Sequence, residues 1–119
     1  MSIFATDGVG SVLHRALNGI TFRQNVIADN IANVDTPGFR TTSVDFETPL
    51  RAAIASGDVT GASAEFVATP TETPVGVNGN NVDLRKETLA AMQSQYQFQM
   101  VSRSVSDRHE RMRTAAGAF

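Results

Sequence analysis

Cysteine and tryptophan are absent from this 119-residue chain, and tyrosine occurs once. Without thiols there are no disulfides, no thiolate metal ligands and no cysteine nucleophile. Lysine occurs once, at Lys86, and 10 Lys+Arg face 12 Asp+Glu for a net charge of -2. That balance excludes the positive field that nucleic acid or an anionic bilayer attracts, so neither is an expected partner. No apolar run approaches the ~18 residues of a membrane span, and no membrane insertion is expected. The opening MSIFATDGVG has no basic stretch followed by an apolar one, so no cleaved Sec leader is expected.

Convergent polar chemistry is missing as well. The only histidines, His14 and His109, sit among arginines at no ligand spacing. A metal centre needs more donors than either can gather. Asp45 and Glu47 read as a solvated pair. GVNGNN at 76–81 lacks the Gly-Lys-Ser/Thr of a phosphate loop. RSVSDRHERMR at 103–113 mixes signs and supports pairs such as Asp107 with Arg111 on a charged helix face. The expectation is no enzyme, no catalytic residue, no cofactor and no metal.

What the chain does contain is periodicity at its two ends. Over residues 9–33, Val9, Leu13, Leu17, Ile20, Ile27 and Ile31 recur at steps of three, four or seven, one stripe of an α-helix. Thr6 or Asp7 can cap its start. Gly19, costly in mid-helix, marks a close approach of a neighbour. Asparagines crowd the end, and the helix stops near Asn33, which suits a left-handed position. Thr36-Pro37-Gly38-Phe39 then fits a type II turn, with proline second and glycine third.

From 40 to 82 the chain is rich in Thr, Ser, Gly and Pro. It reads as a long, partly disordered loop with one short helix near 49–56, capped by Thr48, entered through Pro49 and stopped by Gly57. EFVAT, 65–69, suits a brief strand.

A last helix is expected over 83–116, capped by Asn81 or Asp83. Its apolar residues form two stripes. Leu89, Met92, Tyr96 and Met100 share one side. Phe98, Val101, Val105, Met112 and Phe119 share another. The first helix can cover only one of them, and contiguous apolar surface left over signals a partner protein. The expected fold is mainly all-α. Two long terminal helices form an antiparallel, coiled-coil-like hairpin packed through Leu13, Leu17, Ile20 and Ile27 on one side and Leu89, Met92, Tyr96, Val101, Val105 and Met112 on the other. The organisation is one unit in three parts, 1–39, 40–82 and 83–119.

ADNIANVDTPGFR after an amphipathic helix resembles the signature of the bacterial flagellar axial proteins. The matching residues are Asn30, Ile31, Ala32, Asn33, Thr36, Pro37, Gly38 and Phe39. GNNVDL at the start of the last helix (Gly79, Asn80, Asn81, Val82, Asp83, Leu84), with Tyr96 further along, resembles the small proximal-rod proteins of the FlgB type. The resemblance covers about 1–50 and 79–119, and not 58–78. It implies a structural subunit of the basal-body rod, exported through the flagellar type III apparatus and assembled in the cell envelope. The implied partners are copies of itself, other rod and basal-body proteins and the export apparatus. A different class of function, a small all-α adaptor or regulator binding one partner through the free stripe, fits the helix pattern without the motifs. An enzyme with its site in 40–82 has no catalytic constellation behind it.

Overall fold

The computed structural model describes residues 3–57 and 66–117, the side chains of residues 3–7 aside. In chain order the elements are α1 (Ile3–Ala32), β1 (Thr42–Val44), α2 (Glu47–Ser56), β2 (Ala68–Pro70) and α3 (Leu84–Gly117).

α1 begins well before its apolar stripe, so Thr6 and Asp7 lie within it rather than capping it. It runs antiparallel to α3. Asn30 meets Glu87, Arg23 meets Gln97, and Gly10 faces Arg108. The molecule is accordingly long and narrow, 66 × 27 × 15 Å. The seam differs from the expected one. Ile20 and Ile27 are buried and Leu13 and Leu17 half-buried, while α3 turns Glu87, Ala90, Ala91, Ser94, Gln97, Val101 and Val105 inward. Small side chains in the first half of that face let the two helices lie close. Leu89, Met92, Tyr96 and Met112, expected to pack the hairpin, are exposed within the chain. Phe119 lies outside the described residues.

The middle is more ordered than its composition suggests. β1 and β2 pair antiparallel, with Thr42 opposite Pro70 and Val44 opposite Ala68. The expected strand at 65–69 is thus shifted to Ala68–Pro70, and its partner falls in what reads as loop. Residues 58–65 of the expected disordered segment lie outside the described residues. α2 starts at Glu47 instead of Pro49. Thr48 is not its cap acceptor: its amide and hydroxyl donate to the Asp45 carboxylate at 3.1 and 2.7 Å. Gly57, at φ 79°, closes α2 in the left-handed conformation.

The core forms where this arm lies on α1. Ile20, Val44 and Phe46 are its buried centre, with Leu50, Phe66, Ala68 and Val101 packed around them. Gly19 is what admits Phe46, since a Cβ there would stand 2.6–2.7 Å from the ring's δ carbons. Arg23, one turn on, fixes the arm. Its Nε and one terminal nitrogen donate to the Val44 carbonyl at 3.1 and 2.6 Å. The fork pairs with both Glu47 oxygens, one terminal nitrogen also donates to Gln97 Oε1 at 3.1 Å, and the guanidinium lies 4.7 Å from the Phe46 ring centre. One side chain thus touches β1, α2, α3 and the core ring.

Candidate functional site: the clasped corner

α1 ends in a corner built from backbone groups that need partners. Asn33 does not take a left-handed conformation; among the described residues only glycines have positive φ. Its amide instead donates to Asp29 and Asn30 carbonyls, each at 3.2 Å, and its side chain donates to the Asp29 carbonyl at 2.8 Å. The helical turn therefore winds on slightly before the chain leaves it. The Thr36 hydroxyl then donates to Asn33 Oδ1 at 3.0 Å, and the Phe39 amide to the Thr36 carbonyl at 3.2 Å. Gly38 at φ 75° occupies the third place of that turn, as the type II geometry requires.

The second asparagine-rich segment closes over this corner. The buried Asn80 side chain donates to the carbonyls of Asn33 and Thr36, at 2.8 Å each, and accepts from the Val82 amide at 2.7 Å. The Gly38 amide donates to the Asn78 carbonyl at 3.0 Å. Gly79, at φ 78°, passes so near that a Cβ on it would lie 3.3 Å from the Gly38 Cα. Asn81 does not cap α3. Its Oδ1 accepts from the Thr41 amide at 2.6 Å, its Nδ2 donates to the Thr73 carbonyl at 3.2 Å, and its amide donates to the Phe39 carbonyl at 3.3 Å. Asp83 takes the capping role, accepting from the amides of Arg85 and Lys86 at 3.1 and 3.3 Å.

Asn30 extends the clasp into the seam. Fully buried, it meets the backbone of Thr42 as a neighbouring strand would, donating to its carbonyl at 2.9 Å and accepting from its amide at 3.3 Å. The same Nδ2 donates to the buried Glu87 carboxylate at 3.2 Å, joining α1, β1 and α3. A ladder of hydroxyls flanks it: Thr41 meets Thr71 at 2.6 Å, Thr71 meets Thr73 at 3.0 Å, and Lys86 Nζ donates to Thr73 at 3.1 Å. Buried polar groups are tolerated when every partner is supplied, and a fully satisfied network fixes one arrangement.

The two motifs singled out by sequence therefore form one site. Asn33, Thr36, Gly38 and Phe39 meet Gly79, Asn80 and Asn81, Val82 is held by Asn80, and Asn30 adjoins them through Thr42 and Glu87. Ile31 is half-buried beside them, and Ala32, Pro37 and Leu84 face outward. Arg23, Glu87 and the threonine ladder escape the sequence reading. Burial alone distinguishes them, and their residue types suit a solvated face equally well.

A family model described as flagella basal body rod protein matches residues 12–40, most of α1 and the corner. The flagellar basal body rod protein FlgB of Bacillus subtilis is 30% identical over 126 residues, covering 96% of this chain and 95% of its own. The chain belongs to the FlgB family of flagellar basal body rod proteins. FlgB of Borreliella burgdorferi is 32% identical over 109 residues, 75% of this chain and 81% of its own length. FlgB of Escherichia coli is 30% identical over 104 residues, 71% and 75% of the two chains. As a member of the FlgB family the chain is a structural component of the rod and not an enzyme. No helix among the described residues is long and apolar enough to cross a membrane.

Proposed function

We propose that this FlgB-family chain builds the proximal part of the rod by polymerising through its terminal helices, after export by the flagellar type III apparatus. Its neighbours are copies of itself and other rod and basal-body proteins in the cell envelope. One observation carries the reading. On α3, Leu89, Met92, Tyr96 and Met100 are 60%, 53%, 64% and 66% exposed, while the opposite face of the same helix is held against α1. A continuous apolar stripe on a helix already anchored on its other side is built to receive a neighbour. Contacts of this kind that repeat without closing make a helical assembly. The polar clasp supports the same reading, because it fixes the angle at which the chain leaves the helical pair.

The test is a clean deletion of the gene, read by swimming and by electron microscopy of the envelope. The expected result is no rod and no motility, restored by the intact gene. A chain carrying Leu89→Asp and Tyr96→Asp is expected to be secreted yet to leave cells without rods. Intact basal bodies in the deletion strain would overturn the proposal.

A further inference from the structure

Asn78 is followed by Gly79, a pair that can rearrange covalently without an enzyme. Among the chain's asparagines only Asn18 and Asn78 precede glycine. Glycine has no side chain to shield its amide nitrogen, and at φ 78° Gly79 holds a conformation that other residues rarely adopt. Its nitrogen can attack Asn78 Cγ. A carbon–nitrogen bond then forms and closes a cyclic succinimide, and the Cγ–Nδ2 bond breaks. The Gly79 amide proton passes to a base in solvent, while Nδ2 takes a proton from water and leaves as ammonia. Water next opens the ring at either carbonyl. The product is aspartate, or isoaspartate with an extra carbon in the main chain, and nothing is oxidised or reduced.

The folded turn withholds the reacting groups. The Gly79 amide donates to the Gly76 carbonyl at 3.0 Å, which keeps its proton in place. Asn78 Oδ1 accepts from the Asn80 amide at 3.2 Å, which fixes the side chain. The Asn78 carbonyl accepts from the Gly38 amide at 3.0 Å, and the Gly76 amide donates to the Asn80 carbonyl at 2.8 Å. Asn78 itself is exposed, so water and base reach it. Its protection is therefore conformational and lasts only while the turn is closed. Asn18 is exposed too, but Gly19 is buried and its amide lies within α1. A helix guards one Asn-Gly pair, and the clasp guards the other.

We propose that Asn78 is a deamidation site gated by the clasp, reactive in the open chain and quiet once Asn80 closes over Asn33 and Thr36. Isoaspartate at this position lengthens the backbone inside the turn and leaves the carbonyl that receives Gly38 as a free carboxylate. Gly76 and Asn80 then no longer pair in register, so a converted chain cannot close its clasp again. A chain that folds promptly keeps its corner, and one held unfolded accumulates copies without it.

The test incubates the purified full chain at one mildly alkaline pH and one temperature, across a urea series. Conversion at Asn78 and Asn18 is read by peptide mass spectrometry, with isoaspartyl methyltransferase labelling to separate the two acids. Conversion at Asn78 is expected to be at least about tenfold slower without urea than in unfolding urea, because the turn must first open. Across the series Asn78 should begin to convert at lower urea than Asn18, since the clasp opens before α1. Asn80→Ala, its helices verified by circular dichroism, should speed conversion at Asn78 severalfold without urea while Asn18 stays slow. Equal rates at Asn78 with and without urea, a common onset at the two asparagines, or an unchanged rate in folded Asn80→Ala would overturn the gate. No conversion of Asn78 in unfolding urea would overturn the site itself.

Discussion

Asn80 holds Asn33 by the backbone: its side-chain nitrogen lies 2.8 Å from the Asn33 carbonyl oxygen and equally near that of Thr36. The same side chain accepts from the Val82 amide, so one residue closes the end of α1 and orders the approach to α3. Asn80→Ala removes all three bonds and is expected to lower stability by about 1–3 kcal/mol. Asn80→Asp keeps the acceptor for Val82 but turns a carboxylate oxygen toward two carbonyls, and should cost more at neutral pH. Urea unfolding followed by circular dichroism ranks the three proteins. Equal midpoints would contradict the clasp.

Two mid-helix glycines of α1 should respond to alanine in opposite ways. At Gly10 the nearest atom to a new Cβ is Arg108 Nε at 3.9 Å, an ordinary contact. Gly10→Ala should therefore stabilise by up to about 1 kcal/mol through helix propensity. At Gly19 the Phe46 ring occupies the space, and displacing it from the core costs about 1–3 kcal/mol, enough to outweigh the propensity gain. Thermal melts of both variants give the sign directly.

Arg23→Lys keeps the charge and loses the fork. A lysine ammonium cannot serve the Val44 carbonyl, both Glu47 oxygens and Gln97 together. The expected loss is about 1.5–3 kcal/mol, the range for hydrogen bonds to charged groups. Arg51→Lys, on an exposed position of α2, should change stability by no more than about 0.5 kcal/mol. Parallel denaturation curves would separate the two.

Acid should loosen α2 first. The Thr48 hydroxyl, then the Thr48 amide, hold the Asp45 carboxyl below the usual aspartate value. The folded state thus favours the ionised form. Its stabilisation is present above the unfolded pKa, near 4, and is lost as pH falls through the lower folded value. Asp45→Asn retains an acceptor for the Thr48 amide and should flatten this low-pH dependence. Amide exchange at Thr48, Leu50 and Arg51 across about pH 2.5–5.5, the aspartate range, measures it.

The two long helices are legible because each carries apolar residues at helical spacing, on α1 a face largely held within the fold and on α3 in part a stripe exposed within the chain. α1 outruns its stripe because periodicity marks an apolar face and not the ends of the helix that carries it. The hairpin of β1 and β2 is not legible: three residues cannot display alternation, and the partners stand 24 to 28 positions apart. Arg23 reads as solvent-facing because it lies off the apolar stripe, yet the arm lies on a second side of α1 that only the tertiary fold creates. Both asparagine-rich segments stand out by residue type. Their mutual clasp does not, since a side-chain amide bonding distant carbonyls leaves no spacing in the sequence. Pro37 and Gly38 are read correctly as a turn because their backbone preferences are local. Asn33 is not read correctly, since its left-handed option loses to hydrogen bonds with Asp29 and Thr36.

The clasp also sets how freely the middle of the chain can change. Once 33–39 and 78–81 are joined, the backbone between them is a closed loop whose ends no longer depend on its length. Closure entropy rises only logarithmically, about 0.6 kcal/mol for each doubling of a flexible segment. A longer segment spliced between Gly57 and Phe66 would therefore leave the helical pair and its corner in register. The chain is a natural insertion scaffold: its ends keep one geometry for their neighbours, and its middle can carry a peptide tag or a whole folded module outward from the same base.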